Sequence, residues 1–145
     1  MKYFLITLML VFFSATGILA KTDTPVSSAA LRSFKRSFSE ASDVSWTKGN
    51  QVYKVQFLLN NQYITASYNE QGVLISLEKK IVSTQLPLML EANLDNVFKG
   101  YWITDLVEIS TERKIIYTAK LENAHSKLSL RSYGTSWIVY QRTEK

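Results

Sequence analysis

The chain has 145 residues, a formal net charge of +5, no cysteine and a single histidine. The lack of cysteine excludes disulfides, thiolate metal sites and cysteine nucleophiles, and one histidine is too few for a histidine metal cluster within one chain. The basic excess is modest and is not gathered into a basic run, so the composition does not indicate nucleic-acid binding.

Residues 1–20 are predicted to form a secretory signal peptide. Lys2 precedes an apolar run, and small residues follow it up to Ala20 before the polar sequence begins. This is the order of regions in a signal peptide. The apolar run is shorter than the roughly 20 residues of a transmembrane helix, so we expect cleavage and no retained membrane anchor. The mature protein is therefore expected in the periplasm or outside the cell.

The mature sequence is predicted to start with a short exposed arm and then a helix. Residues 21–28 are polar and form the arm, and residues 29–38 carry apolar side chains at helical spacing. That spacing predicts an amphipathic helix lying on a core. Residues 39–45 are predicted to be a turn that leads to Trp46, which we expect in the core.

Three strands are predicted to follow this helix. Residues 52–58 alternate, with Tyr53, Val55 and Phe57 on one face. Asn60-Asn61 predicts a hairpin turn to a second strand at 63–68, because asparagine tolerates positive φ. A third strand is predicted at 73–77.

A second helix and a second meander are then predicted. Ser83-Thr84 offers an N-cap, Pro87 suits the first turn and Gly100 ends the helix. Its buried stripe comprises Leu86, Leu90, Leu94 and Val97 or Phe98. Four strands are predicted at 103–109, 114–121, 127–133 and 136–141.

These elements predict one α+β domain over residues 29–145, built from two repeats at about 29–80 and 84–142. Tyr53 to Phe57 corresponds to Tyr117 to Leu121, and Tyr68 before its turn corresponds to Tyr133. We expect a tandem duplication of a helix plus an antiparallel meander, with both helices on one face of the sheet.

The sequence offers little catalytic chemistry. His125 lies in a polar turn, and a lone turn histidine is usually solvated. Glu108 and Glu112 are predicted to flank another turn, outside any apolar context. No catalytic residue, metal site or cofactor is assigned, and we expect the protein not to be an enzyme.

One sequence string resembles a known family. Phe38 to Trp46, then Tyr53-x-Val55-x-Phe57, Ala66-x-Tyr68 with Gly72, and Leu86-Pro87 are similar to the PepSY-like family of exported Gram-negative proteins, which is related to β-lactamase-inhibitor-like (BLIP-like) folds. The resemblance implies a tandem helix-plus-sheet fold and a non-enzymatic binding or inhibitory role. It assigns no functional residue.

Strand alternation predicts a helix-free face that is basic. We hypothesise that it binds an acidic partner, either a protein or an envelope polymer. The alternatives are a merely solvated face and an inhibitor of an exported peptidase or other hydrolase. The candidate residues are Lys54, Gln56, Tyr63, Thr65, Lys114, Thr118, Lys120, Lys127, Arg131, Trp102 and Trp137.

Overall fold

The computed structural model describes residues 25–145, so the predicted signal peptide lies outside the described residues. Helix α1 (Ser28–Ser37) precedes four strands, and helix α2 (Leu88–Val97) precedes four more. The strands are β1 (Ser42–Lys48), β2 (Tyr53–Leu59), β3 (Gln62–Tyr68), β4 (Leu74–Lys80), β5 (Trp102–Thr111), β6 (Ile115–Glu122), β7 (Ser126–Tyr133) and β8 (Ser136–Glu144). The predicted α+β class is confirmed.

The strands form one eight-stranded antiparallel sheet in which each strand pairs with its neighbour in the chain. Asn60 and Asn61 have positive φ in the tight β2–β3 turn, as predicted. The pairing of Ala66 with Leu77, and of Leu77 with Ser110, carries one face of the sheet from β3 to β5. Both helices lie on that face, which we call the helix face.

An aromatic core joins α1 to the first four strands. Phe34 of α1 packs edge-on against Trp46 and Phe57, with ring centroids 5.5 Å and 5.1 Å apart. Val55, Phe57 and Tyr68 are fully buried beneath the helix. Edge-on aromatic pairs add to the stabilisation that apolar burial supplies, so the predictions that Trp46 and this alternating strand belong to the core are confirmed.

An aliphatic core joins α2 to the last four strands. Leu90 and Leu94 of the helix pack with Leu106, Leu121 and Leu130 of the sheet. Between the two cores the helix face carries an ion pair, in which the Lys79 ammonium lies 3.1 Å from the Glu108 carboxylate. Each helix therefore covers its own half of the sheet.

The structure corrects the predicted ends of both helices. Ser27, predicted to lie in the arm, is the N-cap of α1, and its hydroxyl accepts a hydrogen bond from the Ala30 amide. Ser83 does not cap α2, because Ser83–Gln85 forms a separate short 3-10 helix. Pro87 is the residue before the first turn of α2 and not part of it.

Residues 42–45, predicted to be a turn, form the start of an additional strand. β1 contains Trp46 and is irregular between Ser42 and Ser45, where Asp43 has a φ of 50°. A β-bulge with a left-handed residue accounts for this irregularity. Because most of β1 is exposed on both faces, its sequence shows no apolar alternation.

The register also corrects the correspondence between Tyr68 and Tyr133. Val55 pairs with Ala66, and Ala119 pairs with Leu130, so two residues further along Ser132 occupies the place of Tyr68. Tyr133 lies on the other face and is 76% exposed, whereas Tyr68 is fully buried. The two tyrosines therefore have different environments.

Tyr68 is expected to contribute through its ring and not through its hydroxyl, which has no hydrogen-bond partner among residues 25–145. Replacing Tyr68 with Ala should lower the free energy of unfolding by about 3–5 kcal/mol, and replacing it with Phe should change it by no more than about 1 kcal/mol. Urea denaturation of the two variants checks this difference. A loss as large in the Phe variant as in the Ala variant would contradict it.

The buried Tyr68 hydroxyl also predicts that the free energy of unfolding depends on pH. Burial raises the pKa of Tyr68 above its ordinary value of 10.0. The unfolded chain therefore ionises first, and the free energy of unfolding falls as the pH rises above 10 until the folded pKa is passed. Tyr68→Phe should reduce this alkaline loss, which urea titrations at a series of pH values measure; an equal loss in the Phe variant would contradict the prediction.

Candidate functional site

The face of the sheet opposite the helices is the candidate site, and we call it the open face. Residues that pair across neighbouring strands lie on the same face, so the pairing register identifies the residues of the open face from β2 to β8. Examples are the pairs of Gln56 with Thr65, Val107 with Thr118, and Arg131 with Ile138. Its polar and charged members include Lys54, Gln56, Tyr63, Thr65, Glu78, Lys80, Asp105, Thr118, Lys120, Glu122, Lys127, Ser129 and Arg131.

Several of the basic residues on this face are neutralised by neighbouring acids. The Lys80 ammonium lies 3.2 Å and the Lys120 ammonium 3.8 Å from the Asp105 carboxylate. Lys127 lies 3.6 Å from Glu122. These pairs are exposed on the lysine side and contribute little stability, yet they lower the basic character that the sequence predicts for the centre of the face.

Arg131 and Lys54 differ from these lysines, since neither forms an ion pair within residues 25–145. Arg131 lies on β7 near one end of the sheet, and Lys54 lies on β2 near the other. A guanidinium keeps its charge at every physiological pH and presents several donors to a carboxylate. The free positive charge of the open face is therefore concentrated at two separate positions.

Local hydrogen bonds fix two other ionisable groups of the face. The Tyr63 hydroxyl donates to the Asp43 carboxylate at the bulge of β1, and this bond, with the negative charge of Asp43, raises the pKa of Tyr63. A hydrogen bond from Lys145 lowers the pKa of Glu122, and the charge of Lys127 acts in the same direction. Tyr63 therefore stays neutral and Glu122 ionised at neutral pH.

A cleft of about 460 Å³ surrounds Arg131 on the open face. Its lining combines the Arg131 side chain with hydroxyl groups and an aliphatic wall: Thr118, Arg131, Ser132, Tyr133, Ile138 and Tyr140. Apart from the aliphatic wall, the side chains can donate hydrogen bonds, and no acidic side chain lines the cleft. This composition suits an anionic group attached to an apolar body.

The structure brings most of the predicted candidates together but separates three from the main face. Lys114 lies in the β5–β6 turn, where its carbonyl accepts from the Thr111 amide. Trp102 pairs with Glu122 at the margin of the open face, and Lys145 lies 5.5 Å from its ring centre. Trp137 belongs to the helix face, because its indole nitrogen donates to the Leu90 carbonyl of α2 at 2.9 Å.

Sequence reasoning missed the aromatic and aliphatic part of the cleft. Residues 137–140 are all apolar, so they show no alternation of apolar and polar side chains. The sequence therefore does not reveal whether Trp137 and Val139 or Ile138 and Tyr140 face α2. Tyr133 was matched with Tyr68 as the residue before a turn, and this match gave no indication that Tyr133 is exposed whereas Tyr68 is buried. The sequence signal that could have found the cleft is the presence of Tyr133 and Tyr140 in the two strands of one hairpin, on either side of Gly134.

His125 and Glu108, which were considered for catalysis and assigned no catalytic role, lie in different parts of the fold. His125 is exposed in the β6–β7 turn, where its amide donates to the Asn123 side chain. Glu108 lies within β5 rather than beside a turn, and it is paired with Lys79 on the helix face. Among residues 25–145, no cluster of three histidine or acidic side chains could hold a metal ion. None of the helices described there is long and apolar enough to cross a membrane.

Comparisons with known proteins establish the fold. Neither a protein-family model nor a curated protein matches the chain. Among solved structures, a DUF2874 family protein of Bacteroides uniformis is similar with a TM-score of 0.72 and 13% identity over 83% of this chain and 89% of that one. A BLIP-like protein of Bacteroides fragilis has a TM-score of 0.68 and 13% identity over 83% of this chain and 87% of that one.

A proposed periplasmic protein of Bacteroides eggerthii gives a TM-score of 0.73 at 9% identity, over 83% of this chain and 90% of that one. At such low identity the shared property is the fold. The chain therefore shares its α+β architecture with a BLIP-like protein, and similarity of fold does not identify a ligand.

Proposed function

We propose that this chain is an exported, non-enzymatic binding protein of the bacterial envelope, periplasmic or secreted, which engages an acidic partner through the open face. The observation that carries the proposal is the cleft around Arg131, where a guanidinium with no ion-pair partner among residues 25–145 is combined with hydroxyl groups and an aliphatic wall. The signal-peptide pattern of residues 1–20 supports export. The lack of cysteine and the position of the single histidine in an exposed turn support a binding role over catalysis.

The origin of the fold is proposed to be a tandem duplication of the PepSY-like kind. A β-bulge interrupts the pairing of β1 with β2 and of β5 with β6. Another interrupts the pairing of β3 with β4 and of β7 with β8, whereas β2–β3 and β6–β7 are regular. Irregularities on the same strand pairs of both halves support descent from one unit.

The binding proposal predicts affinity for a polyanion that depends on Arg131. A fluorescein-labelled polyglutamate peptide should bind the purified protein, more weakly as salt is added. Arg131→Glu should weaken this binding by about tenfold or more, because it replaces attraction by repulsion at the cleft. Fluorescence anisotropy measures both affinities.

The matched control is Arg32→Glu, which makes the same charge change at an exposed position on α1, away from the open face. It should leave the affinity nearly unchanged. Equal losses in the two variants would show that net charge alone attracts the peptide, and the proposal would then be wrong. Binding that is absent in the unmodified protein would also contradict it.

A second candidate function is inhibition of an exported peptidase or other hydrolase. The similarity in fold to a BLIP-like protein favours this alternative. It predicts that the purified protein lowers the activity of a hydrolase from the same envelope at stoichiometric concentration. Arg131→Glu should relieve that inhibition if the open face carries it.

A further inference from the structure

The two edges of the sheet are not equivalent. β1 forms one edge and β8 the other, so each has one side without a paired strand in the described structure. β1 carries a bulge with a left-handed Asp43 at one end and Lys48 at the other. Bulges and lysines are the usual means of preventing a further strand from pairing with an edge. The β1 edge is therefore protected.

The first half of β8 lacks this protection. Residues 136–140 contain no charged side chain, and Ile138, Val139 and Tyr140 are 52%, 44% and 61% exposed. The irregularity of β8 lies at the far end of this segment, at Tyr140, which is skipped between the pairs Leu130–Val139 and Ser129–Gln141, so residues 136–139 pair regularly with β7. An uncharged, exposed edge segment with free backbone groups is a template for another extended chain.

We infer that the partner presents an extended peptide that pairs with residues 136–140 of β8 as a ninth strand, an inference that rests on the proposed function. Main-chain hydrogen bonds would supply affinity without regard to sequence, and the two faces of β8 would set the side chains that are accepted. The occupant is a segment of a partner protein that alternates acidic and apolar residues.

The acidic positions of that segment face the open side. Ile138 is paired with Arg131, so a ninth strand beyond Ile138 lies two strand spacings, about 10 Å, from the β7 backbone. An extended arginine side chain covers part of that distance, and a glutamate side chain of the ninth strand, reaching back over Ile138, covers the rest. The intervening positions of the segment would lie on the helix face beside Val139, whose exposed side chain accepts an apolar contact.

The test uses a fluorescein-labelled peptide of alternating glutamate and valine, with backbone N-methyl groups placed on alternate amides. Two versions of the peptide are compared. In the first, the methyl groups replace the amide hydrogens that would bond to β8, and the affinity should fall about tenfold or more. In the second, the methyl groups are shifted by one residue onto the amides that point away from β8, and the affinity should be nearly unchanged. Hydrogen exchange should show added protection of amides within residues 136–140. Val139→Lys should weaken binding, whereas Val44→Lys, at an exposed position on the β1 edge, should not.

The outcomes separate this inference from the proposed function. If the peptide binds through Arg131 but both methylated versions bind equally and β8 gains no protection, the ninth strand is wrong and the proposed function stands. If Arg131→Glu has no effect on any acidic peptide, both are wrong. If sedimentation shows a dimer that Val139→Lys dissociates, the occupant of the edge is a second copy of this chain, and the inferred partner segment is overturned.

Discussion

Replacing Gly72 with Ala should lower the free energy of unfolding by about 3 kcal/mol or more. Gly72 has a φ of +79°, where a side chain costs about 1–2 kcal/mol. An added Cβ would also lie 2.6 Å from the Ala29 carbonyl oxygen of α1. Because that atom belongs to the helix backbone, the clash can be relieved only by moving α1 away from its core.

The matched control is Gly134→Ala in the β7–β8 turn. Gly134 has a φ of +58°, and an added Cβ would meet no atom within 4 Å. This variant should therefore lose only the conformational cost, about 1 kcal/mol. Urea denaturation of both variants separates the contact with α1 from the backbone strain. Equal losses would show that α1 does not depend on its close approach to this turn.

Replacing Phe57 with Ala should cost about 3–5 kcal/mol, since Phe57 is fully buried and its ring contacts two aromatic neighbours. Its ring centre lies 5.1 Å from that of Phe34 and 4.7 Å from that of Phe38, both contributed by the α1 segment. Truncation therefore removes apolar burial and leaves a cavity between helix and sheet.

Gln56→Ala tests the same strand on its other face. Gln56 is exposed on the open face, and its truncation should change the free energy of unfolding by less than about 0.5 kcal/mol. Thermal and urea unfolding of the two variants should thus differ sharply although the residues are adjacent. A small loss for Phe57→Ala would mean that the aromatic cluster is not the main support of α1.

Most of the sheet could be predicted from the sequence because strands such as β2, β6 and β7 alternate between buried and more exposed side chains. β1 could not, since it is an edge strand with a bulge at Asp43 and little burial on either face. The start of α2 was misplaced because Ser83 and Thr84 look like a cap, whereas Pro87 precedes the helix. A local capping pattern of this kind does not show whether the residues after it start the long helix or a separate short turn.

The candidate site was predictable as a face but not as a cleft. Alternation from the buried Val55 and Leu130 places Lys54 and Arg131 on the open face correctly. The ion pairs that neutralise Lys120 and Lys127 depend on the pairing register of Asp105 and Glu122, which no single strand reveals. The cleft around Arg131 depends on the same register.

Strand order along the sheet, identical to strand order along the chain, has a consequence for folding. Short turns join every neighbouring pair except β4 and β5, whose link contains α2. Closing short loops costs little chain entropy, and low contact order favours fast folding for an antiparallel sheet. During synthesis from the N-terminus, each new strand can thus pair with the strand before it. The edge of the growing sheet then stays unpaired only until the next strand has been made.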